Sequence, residues 1–90
     1  MRVDVGGHEL RVEASGEGPP DLVCLHGLAD TLEIWRKLAP GLGEIGRVVL
    51  VDQRAHGGSD TPPGPVGRDD LARDVLALLE RLDIARAVLI

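Results

Sequence analysis

Asp21-Leu22-Val23-Cys24-Leu25-His26-Gly27 is an apolar run of strand length that stops at a His-Gly pair, and beyond it the apolar residues recur at helical spacing. Leu22 and Cys24 alternate with Val23 and Leu25, and all four are apolar. Both faces of the run therefore need cover, as in a strand buried between two helix layers. The run reads as the first parallel strand of an α/β sheet. Gly27 is expected to let the chain turn sharply and leave backbone N–H groups free at the strand's carboxyl edge, where open α/β sheets bind ligands.

Upstream of this strand, Val3 and Val5 alternate with Arg2 and Asp4, and beyond Gly6-Gly7 the residues Leu10, Val12 and Ala14 alternate with Glu9, Arg11 and Glu13. Period two with one polar face predicts an antiparallel hairpin at a sheet edge, closed by a two-residue Gly-Gly turn. Gly16 to Pro20 is turn chemistry. Downstream, Leu32, Ile34-Trp35, Leu38-Ala39 and Leu42 predict a helix with Asp30 or Thr31 as N-cap and Glu33 in its first turn. Pro40 and Gly41 predict a kink or an early end there, and Trp35 reads as packing on the apolar face.

Arg47 to Asp52, centred on Val48-Val49-Leu50-Val51, is the next buried strand, and Asp52 to Pro65 is a loop of Gly, Pro, Ser and charges. Asp69 and Asp70 open a second helix whose apolar stripe is Leu71, Val75, Leu78-Leu79 and Leu82. Asp83 stands where Gly would stop that helix better, and Arg86 to Ile90 is the third parallel strand. The order predicts an α/β sheet: an antiparallel edge hairpin, then three parallel strands joined by two right-handed crossover helices. If the crossovers leave the Asp21 strand in opposite directions, their helices cover opposite faces. A switch point then falls between that strand and the last one, beside Gly27.

Ninety residues with 43% hydrophobic content and a single aromatic supply only a small core. Ala87-Val88-Leu89-Ile90 has no turn, cap or polar tail after it, so residues 1–90 are expected to form one partial domain, the N-terminal piece of a larger one. A net charge of −5 with ten scattered Lys and Arg excludes a basic nucleic-acid surface. Asp4 interrupts any signal-like apolar start, and no stretch is apolar enough to span a bilayer. A lone cysteine fits a reducing, cytoplasmic location.

His26-Gly27 after a strand, Trp35 on the following helix, and Val51-Asp52-Gln53-Arg54-Ala55-His56-Gly57-Gly58-Ser59-Asp60 after another strand together resemble the N-terminal third of an α/β-hydrolase. The resemblance covers essentially the whole chain. The second motif is similar to the family's Asp-x-Arg-Gly-His-Gly-x-Ser, with Ala55 in place of its first glycine. The resemblance implies half an oxyanion hole, since one donor in such folds comes from the residue after the nucleophile and the other from the loop after the third strand. The Asp21 strand is the third, so Leu28 is the candidate backbone N–H donor. His26, Gly27, Asp52, Arg54 and His56 are implied to support the active-site loop.

No nucleophile is expected within the chain. Its serines are Ser15 and Ser59, and neither is centred in Gly-x-Ser-x-Gly. Cys24 lies within an apolar run, where a thiol is inert packing. His26, His56 and Asp52 lack the spacing of a metal site, and no metal or cofactor is expected. Gly41-Leu42-Gly43-Glu44-Ile45-Gly46 matches a dinucleotide-binding pattern but leaves a helix and enters a strand, the reverse of what pyrophosphate binding needs.

The parent is thus expected to be a serine hydrolase acting on a small-molecule ester, lactone or similar acyl substrate, with nucleophile, acid and histidine beyond Ile90 and the 90 residues alone inactive. Two rivals remain. One is a family member with an aspartate nucleophile, an epoxide hydrolase or dehalogenase, against which Leu28-Ala29 argues because epoxide hydrolases often show Phe-Pro there and dehalogenases a polar residue. The other is a non-catalytic interaction fragment that self-associates through the Ala87–Ile90 edge.

Overall fold

The computed structural model describes residues 1–90. Strands β1 (Arg2–Asp4), β2 (Glu9–Ser15), β3 (Asp21–Leu25), β4 (Arg47–Val51) and β5 (Ala87–Leu89) form one sheet in the order β1-β2-β4-β3-β5. β2 pairs antiparallel with β1 and β4, while β3 lies parallel between β4 and β5. The sheet is that of an α/β fold with an antiparallel edge, as the patterning predicts.

The alternation within β3 sorts its side chains onto two faces. Val23 packs with Leu10, Val12, Val49 and Val51 beneath Leu78 and Ile84. Leu22 and Cys24 pack with Val48, Leu50 and Leu32 on the other face, where Trp35, Ala39 and Leu42 cover them. Trp35 is therefore a packing residue. The first crossover runs from β3 to its neighbour β4 on one face, and the second runs back from β4 past β3 to β5 on the other, so the switch point falls between β3 and β5.

The first crossover departs from the predicted single helix. It is a 3₁₀ turn, Leu32–Trp35, followed by the short helix α1, Ala39–Gly43. Thr31 caps the first piece, its side chain accepting the Glu33 N–H at 3.2 Å. Pro40 occupies the first turn of α1 rather than ending a helix, since its missing N–H costs nothing there and its fixed φ suits a start. The Gly41–Gly46 stretch leaves this helix and enters β4.

The hairpin closes at Gly6-Gly7 as the alternation predicts: in the register Asp4↔Glu9 the Val5 N–H donates to His8 O at 2.9 Å, and both glycines take a positive φ, 113° and 102°. Asp4 Oδ1 accepts both the Gly6 and Gly7 N–H groups and so caps the turn from the side-chain side. Helix α2 runs Arg68–Arg81. It ends as a Schellman motif, with the Ile84 N–H on Leu79 O and the Asp83 N–H on Glu80 O. Asp83 takes the left-handed conformation at φ 57° that the motif demands. Within these 90 residues β5 pairs on one side only, with β3, and Val88, Leu89 and Ile90 are 49%, 56% and 43% exposed.

Candidate active site

At the carboxyl ends of β3 and β4 two loops face each other, Gly27–Thr31 and Gln53–Asp60. The first begins as a turn closed by the Asp30 N–H on Gly27 O at 3.2 Å. The left-handed residue in this turn is Ala29, at φ 61°. Gly27 keeps an ordinary φ, and a side chain there would meet open space. The expectation that Gly27 supplies the bend is corrected: the third residue of a turn of this kind carries the positive φ, and here that residue is an alanine. Leu28 is 93% exposed and its N–H has no hydrogen-bond acceptor.

His26 is buried behind the turn. Its Nε2 accepts the Gln53 N–H at 2.9 Å, its Nδ1 lies 2.8 Å from Gly27 O, and its own carbonyl accepts from Gln53 Nε2 at 2.7 Å. His56 reaches back from the other loop, with Nε2 accepting the Ala29 N–H at 3.2 Å and Nδ1 2.9 Å from Arg54 O. The two imidazoles are 4.8 Å apart between centroids and tilted by 55°.

Asp52, the first residue past β4, is fully buried. Its Oδ1 accepts the Leu32 N–H at 2.7 Å and its Oδ2 the Gly58 N–H at 2.8 Å, with Arg11 Nη1 at 3.5 Å. One carboxylate thereby anchors both loops. Gly57 is where glycine is obligatory: at φ 51°, a Cβ would sit 2.3 Å from Asp52 Oδ2. Ala55, in place of the motif's glycine, is held left-handed at φ 65°.

Arg54 turns away from the two histidines toward α2. Its Nε and Nη2 each donate to an Asp74 carboxylate oxygen at 2.8 Å, and His8 Nε2 lies 3.2 Å from the same carboxylate. Burial, the largest single influence on Asp74, pushes its pKa up. The Arg54 hydrogen bonds, with His8 and the Arg54 charge, together outweigh burial and hold the carboxyl below its ordinary value. Asp74 and Gln53 are site-building residues that sequence patterning passes over. Asp74 carried a legible signal, since it sits one turn from Leu78 on the apolar face of α2, where an acid requires a cation.

The remaining side chains of chemical interest lie apart from this crevice or are already engaged. Ser59 Oγ donates to Asp52 O and accepts the Arg11 N–H. Ser15 pairs opposite Val48 near the start of β4, at the other end of the sheet. Cys24 is fully buried, and burial pushes its thiol pKa up. His26 and His56 come together, but each ring nitrogen already has a backbone partner, and no cluster of three metal-ligating side chains forms. No helix is long and apolar enough to cross a membrane.

The family model for the α/β hydrolase fold matches residues 20–90. Over 88 residues, 97% of its length, the chain is 40% identical to the dihydrolipoyllysine-residue acetyltransferase component of an acetoin cleaving system from Pseudomonas putida. It is 38% identical over 90 residues to epoxide hydrolase A of Mycobacterium tuberculosis. The crystal structure of an enol-lactonase from Burkholderia xenovorans superimposes on 99% of the chain with a TM-score of 0.95 at 35% identity. The chain spans 24%, 28% and 35% of those three proteins.

Proposed function

The chain belongs to the α/β-hydrolase family, and from that premise we propose that it builds the oxyanion-binding edge of a cytoplasmic serine hydrolase cleaving an ester, lactone or similar acyl group. The observation that carries this reading is the unpaired Leu28 N–H on an exposed turn at the carboxyl edge of β3, beside the switch point. A serine on an elbow after β5 attacks the acyl carbon and passes its proton to a histidine. The oxyanion that develops is held by the N–H of the residue after that serine and by Leu28 N–H. Nucleophile, acid and histidine are all assigned to sequence following Ile90. The likeness to an enol-lactonase supports an acyl substrate. The 38% identity to an epoxide hydrolase favours a second reading, an aspartate at the same elbow.

The elbow sequence separates the two: Gly-x-Ser-x-Gly within a few residues of Ile90 supports the serine reading, and aspartate at its centre replaces it. In the full-length protein, Leu28→Pro removes the N–H and is expected to lower kcat by about 10²–10³-fold. KM should change much less, because the donor meets charge absent from the ground state. Circular dichroism and Tm must match wild type, and a folded variant with kcat within a few-fold of wild type removes Leu28 from the oxyanion hole.

A further inference from the structure

We propose that His26 and His56 form a two-imidazole clasp that orients the Leu28 N–H, each holding one of the two peptide planes that flank the Leu28 Cα. The inference rests on Leu28 being the oxyanion donor. The Gly27 carbonyl and the Leu28 N–H belong to a single planar trans peptide, so they point in opposite directions. Gly27 O is held on the inner side by His26 Nδ1 at 2.8 Å and the Asp30 N–H at 3.2 Å. The Leu28 N–H therefore projects to the other side, where it is unpaired. The next plane carries the Ala29 N–H, and His56 Nε2 takes it at 3.2 Å.

The chemistry of the partners dictates the state of both rings. A carbonyl only accepts and an amide N–H only donates, so each imidazole is neutral, protonated on Nδ1 with a lone pair on Nε2. His26 Nε2 spends that lone pair on the Gln53 N–H of the opposite loop, and His56 Nε2 spends its own on the Ala29 N–H. Each loop thus contributes a histidine that binds the other loop's backbone. Without His56, left-handed Ala29 loses the bond that holds it at φ 61°. The Leu28–Ala29 plane is then free to rotate and the donor plane beside it to tilt. Without the His26 donor, Gly27 O keeps only the longer Asp30 bond. Both residues are positioning residues: they act through the Leu28 peptide.

The two rings serve through opposite atoms, and this sets a crossed test in the full-length protein. At position 26 the needed group is the Nδ1 donor, which an asparagine amide replaces and a glutamine does not. At position 56 it is the Nε2 acceptor, which a glutamine oxygen replaces and an asparagine does not. His26→Gln and His56→Asn are expected to lower kcat by about tenfold or more with KM within a few-fold, while His26→Asn and His56→Gln recover most of it. Equal effects of Asn and Gln at both positions mean that the rings act only by packing, and overturn the clasp.

Leu28→Pro run alongside separates the two levels of the argument. If it costs kcat and the histidine variants do not, the clasp alone fails; if it is silent, the oxyanion reading fails. Amide hydrogen exchange on the wild-type protein needs no variant to fold. The clasp requires a protected Ala29 N–H next to an unprotected Leu28 N–H, and fast exchange at Ala29 overturns it.

Discussion

Asp52 shows how much a single side chain can carry at this edge. Its fully buried carboxylate accepts two backbone N–H groups from different loops, the buried Leu32 donor and the exposed Gly58 donor. Asp52→Ala is expected to destabilise the full-length protein by about 1–3 kcal/mol, the cost of orphaning the buried Leu32 donor, since the exposed Gly58 N–H can turn to water. Asp52→Asn keeps one acceptor and should cost less; urea unfolding of the two variants checks the order. Ala55 is a strained residue of the opposite kind. Held at φ 65°, it is expected to gain about 0.5–1 kcal/mol on Ala55→Gly, the relief of left-handed strain being partly offset by the freer unfolded chain. A lower Tm for this variant would show that the alanine methyl makes a compensating contact.

Among the elements, the tie between the β4–α2 loop and α2 runs through Arg54 and Asp74. Arg54→Met leaves an acid on the inner face of the helix without its bidentate partner and is expected to cost about 3 kcal/mol near neutral pH. Since the folded-state pKa of Asp74 is depressed, the stability it contributes is present above the ordinary carboxylate range and is lost as pH falls through the depressed value. The wild type therefore loses in acid what the variant already lacks. The gap between them should narrow from about pH 7 to about pH 3, and a gap that is constant across that range would show that the pair is not ionised in the fold. The first crossover illustrates a different point. Its apolar spacing is helical throughout, yet the chain breaks between Trp35 and Ala39, because covering Leu22, Cys24, Val48 and Leu50 with Leu32, Trp35 and Leu42 requires contact with the sheet, not an unbroken helix.

Taken by themselves, the 90 residues bury 17, a thin core, and leave β5 paired on one side only. The open side of β5 lies next to an apolar groove walled by Leu25, Leu71, Val75, Leu79 and Leu89. Unpaired strand edges and apolar patches of this kind recruit further chains. The isolated 90-residue chain is therefore expected to self-associate, giving a light-scattering mass above the monomer, and Val88→Lys should lower that mass by placing a charge on the edge. A compact monomer for the unsubstituted chain would remove the edge from the account.

The sequence alone determined the α/β class and the antiparallel edge hairpin, and that β3 and β4 are covered on both faces, because both are apolar runs. The strand order β1-β2-β4-β3-β5, which the sequence left conditional on the crossover directions, came from the structure. The sequence also placed Leu28, Asp52 and His56 at one edge, since loops that follow parallel strands must emerge at their carboxyl ends. Only the tertiary structure decided which atoms do what there. The positive φ falls on Ala29 instead of Gly27, Arg54 faces α2 instead of the crevice, and His8 joins Asp74 from the far hairpin. These depend on polar contacts between residues far apart in the chain, His8 and Asp74 being 66 positions apart. Local patterning records which residues must be buried, but the pairing of a buried donor with its acceptor is settled only when distant segments meet, where every polar group shut away from water must find a partner.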